Sequence, residues 1–435
     1  MHMKINIRRK HKDVDIVRKI EHIDSKVDVI PFITMKYLSQ KQAESEDNLS
    51  QFQNRYGFTF RDYELLTNII AKQDDEKSSL SDIKSALNAL KNSTNPDIKE
   101  IFSRMDEEEI TLDVLDDILE ILESEDNLQE LFKQVNYLQW AIKDEDNKRI
   151  IPPTVELLSK MATTHHKPQN IYDPSSIDAQ TVTELDEFNH ATIYIKDEDD
   201  YYHAKQNLIL HDIPLDKISI SNREVLIDEN DAKYDTIISV PYPKQKLIKD
   251  EDIDKYSQYE TKNPNTIHLL NLLDHLDDDG IIVTTTTQDL LVKKDAYKIR
   301  KYLIDNNLLD GVIEYETGYR SRDITILIIN KNKKTDDFLF VKPPEMLPTF
   351  LLPAFNEDIL EIQKERKIED RLSNIINKDE IIKNEYNLNP KRYVYTLDYK
   401  QTPIEDILEK QKEQSKHIQQ LDNEIEDMIR QLEKL

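Results

Sequence analysis

Four glycines in 435 residues, Gly57, Gly280, Gly311 and Gly318, constrain this chain more than any other feature. An average usage of about 7% would place roughly thirty in a chain of this length. Glycine reaches left-handed backbone without a Cβ penalty and lets a ligand lie against bare peptide. The phosphate-cradling G-x-x-x-x-G-K loop, the G-x-G-x-x-G turn and the G-x-S-x-G nucleophile elbow therefore cannot be written anywhere in this sequence.

The length implies two or three domains with room for a real core. Lys and Arg number 59 against 86 Asp and Glu, a net charge of −27. That balance opposes a stand-alone nucleic-acid or membrane-surface binder, so any DNA contact requires a local basic patch or a partner. A third of the residues are charged, yet 20 Tyr, 11 Phe and abundant Ile and Leu exclude a disordered chain. With no Cys there is no disulfide framework, thiolate metal site or Cys nucleophile, and a reducing compartment suits the composition. The basic start, Met1 to Lys12, leads into no apolar segment, and no apolar run reaches the roughly 18 residues a membrane helix needs. A cytoplasmic protein with no membrane partner is expected.

Residues 1–148 read as a helical domain, with apolar spacings such as Ile30, Ile33, Tyr37 and Leu112, Leu115, Ile118, Leu119, Leu122. The acidic stretch from Asp106 to Glu109 is expected to open a helix, where carboxylates meet the positive end of the dipole. From 149 to 335 the pattern alternates helix with β-rich runs. These are Asn170–Asp173, Ala191–Ile195, Ile218–Ile220, Tyr234–Ser239, Gly280–Thr284, Gly311–Tyr315 and Ile324–Ile329. Seven strands with crossovers indicate an α/β fold with a doubly wound, mostly parallel, seven-stranded sheet. The last two runs are too close for a helical crossover and should form an antiparallel hairpin at one edge.

Residues 336–400 are Pro-punctuated, at Pro343-Pro344, Pro348 and Pro353, and read as a connector packed on the α/β part. Residues 401–435 carry a heptad seam: Ile404, Ile407, Gln411, Gln414, Ile418, Leu421, Ile425, Met428, Leu432 and Leu435. A narrow seam of this kind indicates a coiled-coil helix that pairs with a helix of another chain, the two Gln setting register.

Several phrases, in order along the chain, resemble the N6-adenine DNA methyltransferases. Tyr234-Asp-Thr-Ile-Ile-Ser-Val-Pro-Tyr242 resembles F-D-x-I-I-x-N-P-P-[FY]. Ile171-Tyr-Asp-Pro-Ser-Ser176 resembles V-x-D-P-x-C-G-S-G, and Ile193-Tyr194 with Asp197 resembles I-Y-G-x-E. Ile151 to Met161 is similar to the entry helix of that domain, and Tyr386 to Val394 to the segment before the terminal coil. The whole is similar to the modification subunit of type I restriction-modification systems. That resemblance implies a class I methyltransferase-like fold, with Asp173, Pro174, Ser175 and Asp197 at the S-adenosylmethionine site. It also implies Ser239, Val240, Pro241 and Tyr242 at the loop that handles a flipped adenine.

The departures fall on the chemistry. Ser175-Ser176-Ile177-Asp178-Ala179 stands where the family has a glycine-rich turn, placing Cβ atoms where cofactor lies against backbone. Ser239-Val240 replaces Asn-Pro, and a Ser side chain is shorter than the amide by two heavy atoms. Together these imply that cofactor binding is weak or lost and that none is expected. His165-His166 lacks the further ligands of a zinc site and reads as surface loop, so no metal is expected. Arg8 to Lys12 reads as a charged terminus.

The leading expectation is a catalytically silent pseudo-methyltransferase. It would assemble with a specificity-type subunit or a paralogous methyltransferase subunit through Ile418, Leu421, Ile425, Met428 and Leu432, and touch DNA only within that complex. Two alternatives stay open. One is an active S-adenosylmethionine-dependent N6-adenine DNA methyltransferase subunit, and the other an acidic inhibitor or decoy of a restriction complex.

Overall fold

The computed structural model describes residues 16–23, 27–71, 76–143, 150–164, 166–241, 254–315, 324–342 and 352–394. The sequence expectations for Arg8 to Lys12, His165, Tyr242 and the heptad segment fall outside these residues.

Before Asn170 the described residues contain no strand. The helices Ile30–Glu44, Leu112–Glu123 and Leu128–Lys143 are central there, because each carries apolar residues at helical spacing, and Phe32, Phe102, Leu119 and Phe132 meet in one core. The acidic stretch Asp106 to Glu109 does not open a helix. It lies in a turn, and the helix starts at Leu112 with Thr111 in the N-cap position and Asp113 in its first turn. Buried Ile110 anchors the chain just ahead of that start.

Two of the glycines are demanded by geometry. Gly57 ends the helix Leu49–Tyr56 at φ +76°, and a Cβ there would lie 2.2 Å from the Asn95 nitrogen. At Gly280 a Cβ would come within 3.0 Å of the Asp235 carbonyl oxygen on the neighbouring strand.

The sheet has nine strands where the sequence indicated seven: β1 Asn170–Ser176, β2 His190–Ile195, β3 Ile218–Asn222, β4 Tyr234–Ser239, β5 Leu276–Thr286, β6 Leu309–Tyr315, β7 Ile324–Asn330, β8 Asp337–Val341 and β9 Ser373–Asn377. Their order is β3-β2-β1-β4-β5-β7-β6-β8-β9. β1 to β5 are mutually parallel, and β7 runs antiparallel to both β5 and β6. The expected β6–β7 hairpin forms but does not close an edge. β7 lies inside it, and β8 and β9 extend the sheet beyond β6. The presumed connector thus supplies two strands. Asp337-Phe-Leu-Phe-Val341 buries alternate residues on opposite faces and cannot leave them in solvent.

Both faces of the sheet are covered. Ile171, Ile193, Val283, Ile326 and Leu339 meet one layer, which includes Pro152–Thr163 and Glu198–Leu210. Tyr172, Tyr194, Ile282, Leu327 and Phe340 meet the other, which includes Pro264–His275 and Tyr297–Asp305. Runs of β-branched residues buried on two sides are what a parallel sheet requires.

Candidate functional site

β1 and β4 are adjacent, and the chain leaves them toward opposite sides of the sheet. Ligands of open α/β sheets bind at such a switch point, outside the carboxyl ends of the strands. Here those ends carry Asp173 to Ala179 and Ser239 to Pro241.

β1 loses register with β2 between Asp173 and Ser176. Pro174, which has no N–H to give, falls in that interruption. Ala179, at the place of the last glycine in the resembling turn, adopts φ +59°. The left-handed backbone is therefore kept without glycine, at a cost of roughly 1–2 kcal/mol for the Cβ. Side-chain hydrogen bonds hold the turn. The Ala179 amide donates to Ser176 Oγ at 3.2 Å and the Gln180 amide to Asp178 Oδ1 at 3.1 Å. Asn136 of the helix Leu128–Lys143 donates to Asp178 Oδ2 at 2.8 Å, and Asn207 of the helix Glu198–Leu210 donates to the Asp178 carbonyl at 2.9 Å.

Asp173 is fully buried. Burial pushes its carboxyl up to about 6, against the opposing hydrogen bonds from Thr181, Ser176 and the Ser175 amide.

Over this turn the open space is about 30 Å³, lined by Tyr137, Ile150, Pro152, Ser175, Ile177 and Val240 among others. That is roughly the share of one water in the liquid, whereas small-molecule sites run to about 300–1,000 Å³. The Ile177 side chain stands where bare backbone would be needed. Among the described residues, this space is too small for a ligand of the size of S-adenosylmethionine.

Ser239 is also fully buried, and its hydroxyl is committed within the fold. It lies 2.9 Å from His268 Nε2 and 2.8 Å from Ser175 Oγ, and Ser175 Oγ accepts the Val240 amide at 2.9 Å. Burial pushes the His268 imidazole down to about 4, so it is neutral at pH 7. Its Nδ1 faces the Leu226 carbonyl at 3.4 Å, which assigns the proton to Nδ1 and leaves Nε2 as acceptor. The direction of the chain follows: Val240 N–H to Ser175, Ser175 to Ser239, and Ser239 to His268. Each hydroxyl has its donor and an acceptor site used inside the protein. The Ser239–His268 pair has the spacing of a nucleophile and its base, but among the described residues no carboxylate orients the imidazole, and both side chains are sealed from solvent.

Asp197 is exposed and caps the helix Glu198–Leu210, accepting the amides of Asp199 at 3.0 Å and Asp200 at 3.3 Å through Oδ1. Val240 and Pro241 are buried beside Ser239. His166, expected on a surface loop, is half-buried and bonded to Asp235 at 3.0 Å, an acid that also accepts the amides of Gln169 and Asn170.

Sequence reasoning named Asp173, Pro174, Ser175 and Ser239, and the fold brings them together. It gave no role to His268, Asn136, Asn207 or Thr181. Only Thr181, eight residues from Asp173, was near enough in sequence to suggest itself as a partner.

A family model described as N-6 DNA Methylase matches residues 151–402. The type I restriction enzyme MpnII methylase subunit of Mycoplasma pneumoniae is 24% identical over 264 residues, covering 52% of this chain and 47% of that protein. The chain thus spans about half the length of that curated relative. Among solved structures, a type I restriction-modification methyltransferase subunit from Streptococcus thermophilus is similar with a TM-score of 0.70 at 18% identity, over 88% of this chain and 99% of the other. A modification subunit of a type I restriction enzyme from Vibrio vulnificus has a TM-score of 0.61 at 13% identity, over 85% and 93%. These likenesses concern the fold.

Proposed function

The chain belongs to the N-6 DNA methylase family, and from that membership we propose that it is a catalytically silent subunit of a type I restriction-modification assembly. The observation that carries this reading is Ser239. At the place of the family's target-binding Asn, a shorter side chain is buried and spends its hydrogen bonds on Ser175 and His268. A flipped adenine would find no acceptor there. The narrow space over Ile177 supports the same conclusion for the cofactor. Asp197 keeps an exposed carboxylate where the resemblance puts the ribose, but its Oδ1 is engaged in capping the helix Glu198–Leu210.

What the protein retains is the framework for assembly. The seam Ile418, Leu421, Ile425, Met428 and Leu432 has the pattern of a helix that packs on a partner helix, and six large apolar side chains counting Leu435 are worth roughly 1.5–3 kcal/mol each when buried. The partner on this reading is a specificity-type subunit or a paralogous methyltransferase subunit, with DNA engaged only through that complex. Leu421→Asp with Ile425→Asp should abolish assembly with such a subunit and leave the circular dichroism of the remainder intact.

The decisive experiment is a calorimetric titration with S-adenosylmethionine up to near-millimolar concentration, alongside transfer of labelled methyl to adenine in DNA. No saturable heat and no transfer are expected. Saturable binding with transfer would overturn the proposal in favour of an active enzyme working through altered loops.

A further inference from the structure

A wide concavity lies away from the closed turn, on the layer that covers the Tyr172 face of the sheet. It has a volume of about 1210 Å³. The helices Gln288–Val292 and Tyr297–Asp305 and the segment following the helix Lys378–Lys383 form its walls. These walls are held in place. Buried Arg300 donates to the carbonyls of Leu290, Lys293 and Tyr386 at 2.7 to 2.9 Å, and the Leu388 amide donates to the Leu291 carbonyl at 3.0 Å. A groove fixed in this way loses little entropy on binding.

Two features of its surface point to an occupant. Seven large apolar side chains are exposed among the described residues, and four of them, Val292, Tyr297, Tyr302 and Ile382, at 37 to 42%, sit on these three short helices. Val292 and Tyr297 line the groove itself. Clustering of this kind marks an interaction surface, where scattered exposed apolar residues do not. The charge also reverses. Residues 288–305 and 378–394 carry nine basic and six acidic side chains, in a chain with a net charge of −27. Lys294 and Lys383 in the groove wall make no ion pair among the described residues.

We propose that this groove docks an acidic amphipathic segment of a partner protein, its apolar side chains on Val292 and Tyr297 and its carboxylates on Lys294, Lys383 and Arg392. A nucleic-acid backbone suits the surface less well. Glu260, Asp295 and Glu385 lie among the cations of the lining, and each repels a phosphate of a chain that must run past it, whereas a helix can place each carboxylate singly.

The test uses the full chain and a fluorescein-labelled amphipathic helix of about 18 residues, roughly five turns, with Leu on one face and Glu on the other. Anisotropy should show saturable binding that weakens as salt is raised. Lys294→Glu with Lys383→Glu should weaken it at least about tenfold, and so should Val292→Ser with Tyr297→Ser, a loss of about 1.4 kcal/mol or more. All four residues are exposed, so circular dichroism and the melting temperature should hold. A peptide with Lys in place of Glu should bind at least about tenfold more weakly. No binding of the acidic peptide, binding indifferent to both pairs of substitutions, or tighter binding of a duplex or single-stranded oligonucleotide that both pairs weaken would overturn the proposal.

Discussion

Ser175 and Ser239 share a hydrogen bond of 2.8 Å between their hydroxyl oxygens, across the carboxyl ends of β1 and β4. The two strands that present cofactor and target residues in the family are here bolted to each other. Ser175 also takes the Val240 amide and Ser239 the His268 imidazole, so the end of β4 and the residue that follows it are held by the core.

Ser239→Ala should therefore destabilise the protein by about 1–3 kcal/mol, because Ser175 and His268 each lose a buried partner. Ser239→Asn should be no better, since two more heavy atoms must enter a packed site at a cost of about 1–3 kcal/mol. Urea denaturation measures both. Restoring the amide should not restore methyl transfer, and a methylating Ser239→Asn protein would show that the loop is open in solution.

Asp173 and His268 give opposite pH dependences. The Asp173 pKa is raised to about 6, so its contribution is fully present below its unfolded value of about 3.9 and is lost as pH rises through 6. The His268 pKa is lowered to about 4, so its contribution is present above about 6.5 and is lost as pH falls through 4. Each amounts to about 2–3 kcal/mol between pH 4 and 7, and in the wild type they largely offset. Relative to wild type, Asp173→Asn should lose stability as pH falls from 7 to 4, and His268→Asn should gain it. Chemical denaturation across that range checks the signs, and parallel curves would refute both assignments.

Asp178→Ala should cost about 1–3 kcal/mol by leaving buried Asn136 and the Gln180 amide without their acceptor. Its effect should reach the helical part, since Asn136 belongs to Leu128–Lys143. Hydrogen exchange should quicken in that helix as well as in the turn, and a change confined to the turn would contradict the tie.

Gly57→Ala should be among the most damaging single substitutions, at about 3 kcal/mol or more. It combines a left-handed backbone with a Cβ 2.2 Å from the Asn95 nitrogen. A melting temperature within a degree or so of wild type would count against the turn geometry described for residues 56–58. Asp235→Asn tests the other end of the sheet. Burial opposes that carboxylate's charge, but hydrogen bonds from His166, the Gln169 and Asn170 amides and Thr236 outweigh it and hold the pKa down to about 2. The stability these bonds give is present above about pH 4 and is lost as pH falls toward 2, so the variant should be less stable at neutral pH and lose less on acidification.

The sequence by itself determined the local elements, because their signals are local. Ile324 to Asn330 is a β-branched run that only a strand buried on two faces can accommodate, and Leu112 to Leu122 repeats at a helix's own period. The turn after β1 and the loop after β4 were legible as altered motifs for the same reason, since their residues are contiguous. Tertiary structure decided what no neighbour in sequence encodes. Ser373-Asn-Ile-Ile-Asn377 is polar enough to pass for a loop and is a strand only because it pairs with β8. β7 enters between β5 and β6 through hydrogen bonds that any of those backbones could offer. His268 closes on Ser239 from 29 residues away, and Asn136 on Asp178 from 42. Backbone pairing is nearly indifferent to side-chain identity, and a buried polar contact depends on which groups the packed layers carry together. Register, strand order and the sealing of the turn were therefore set by the assembled core.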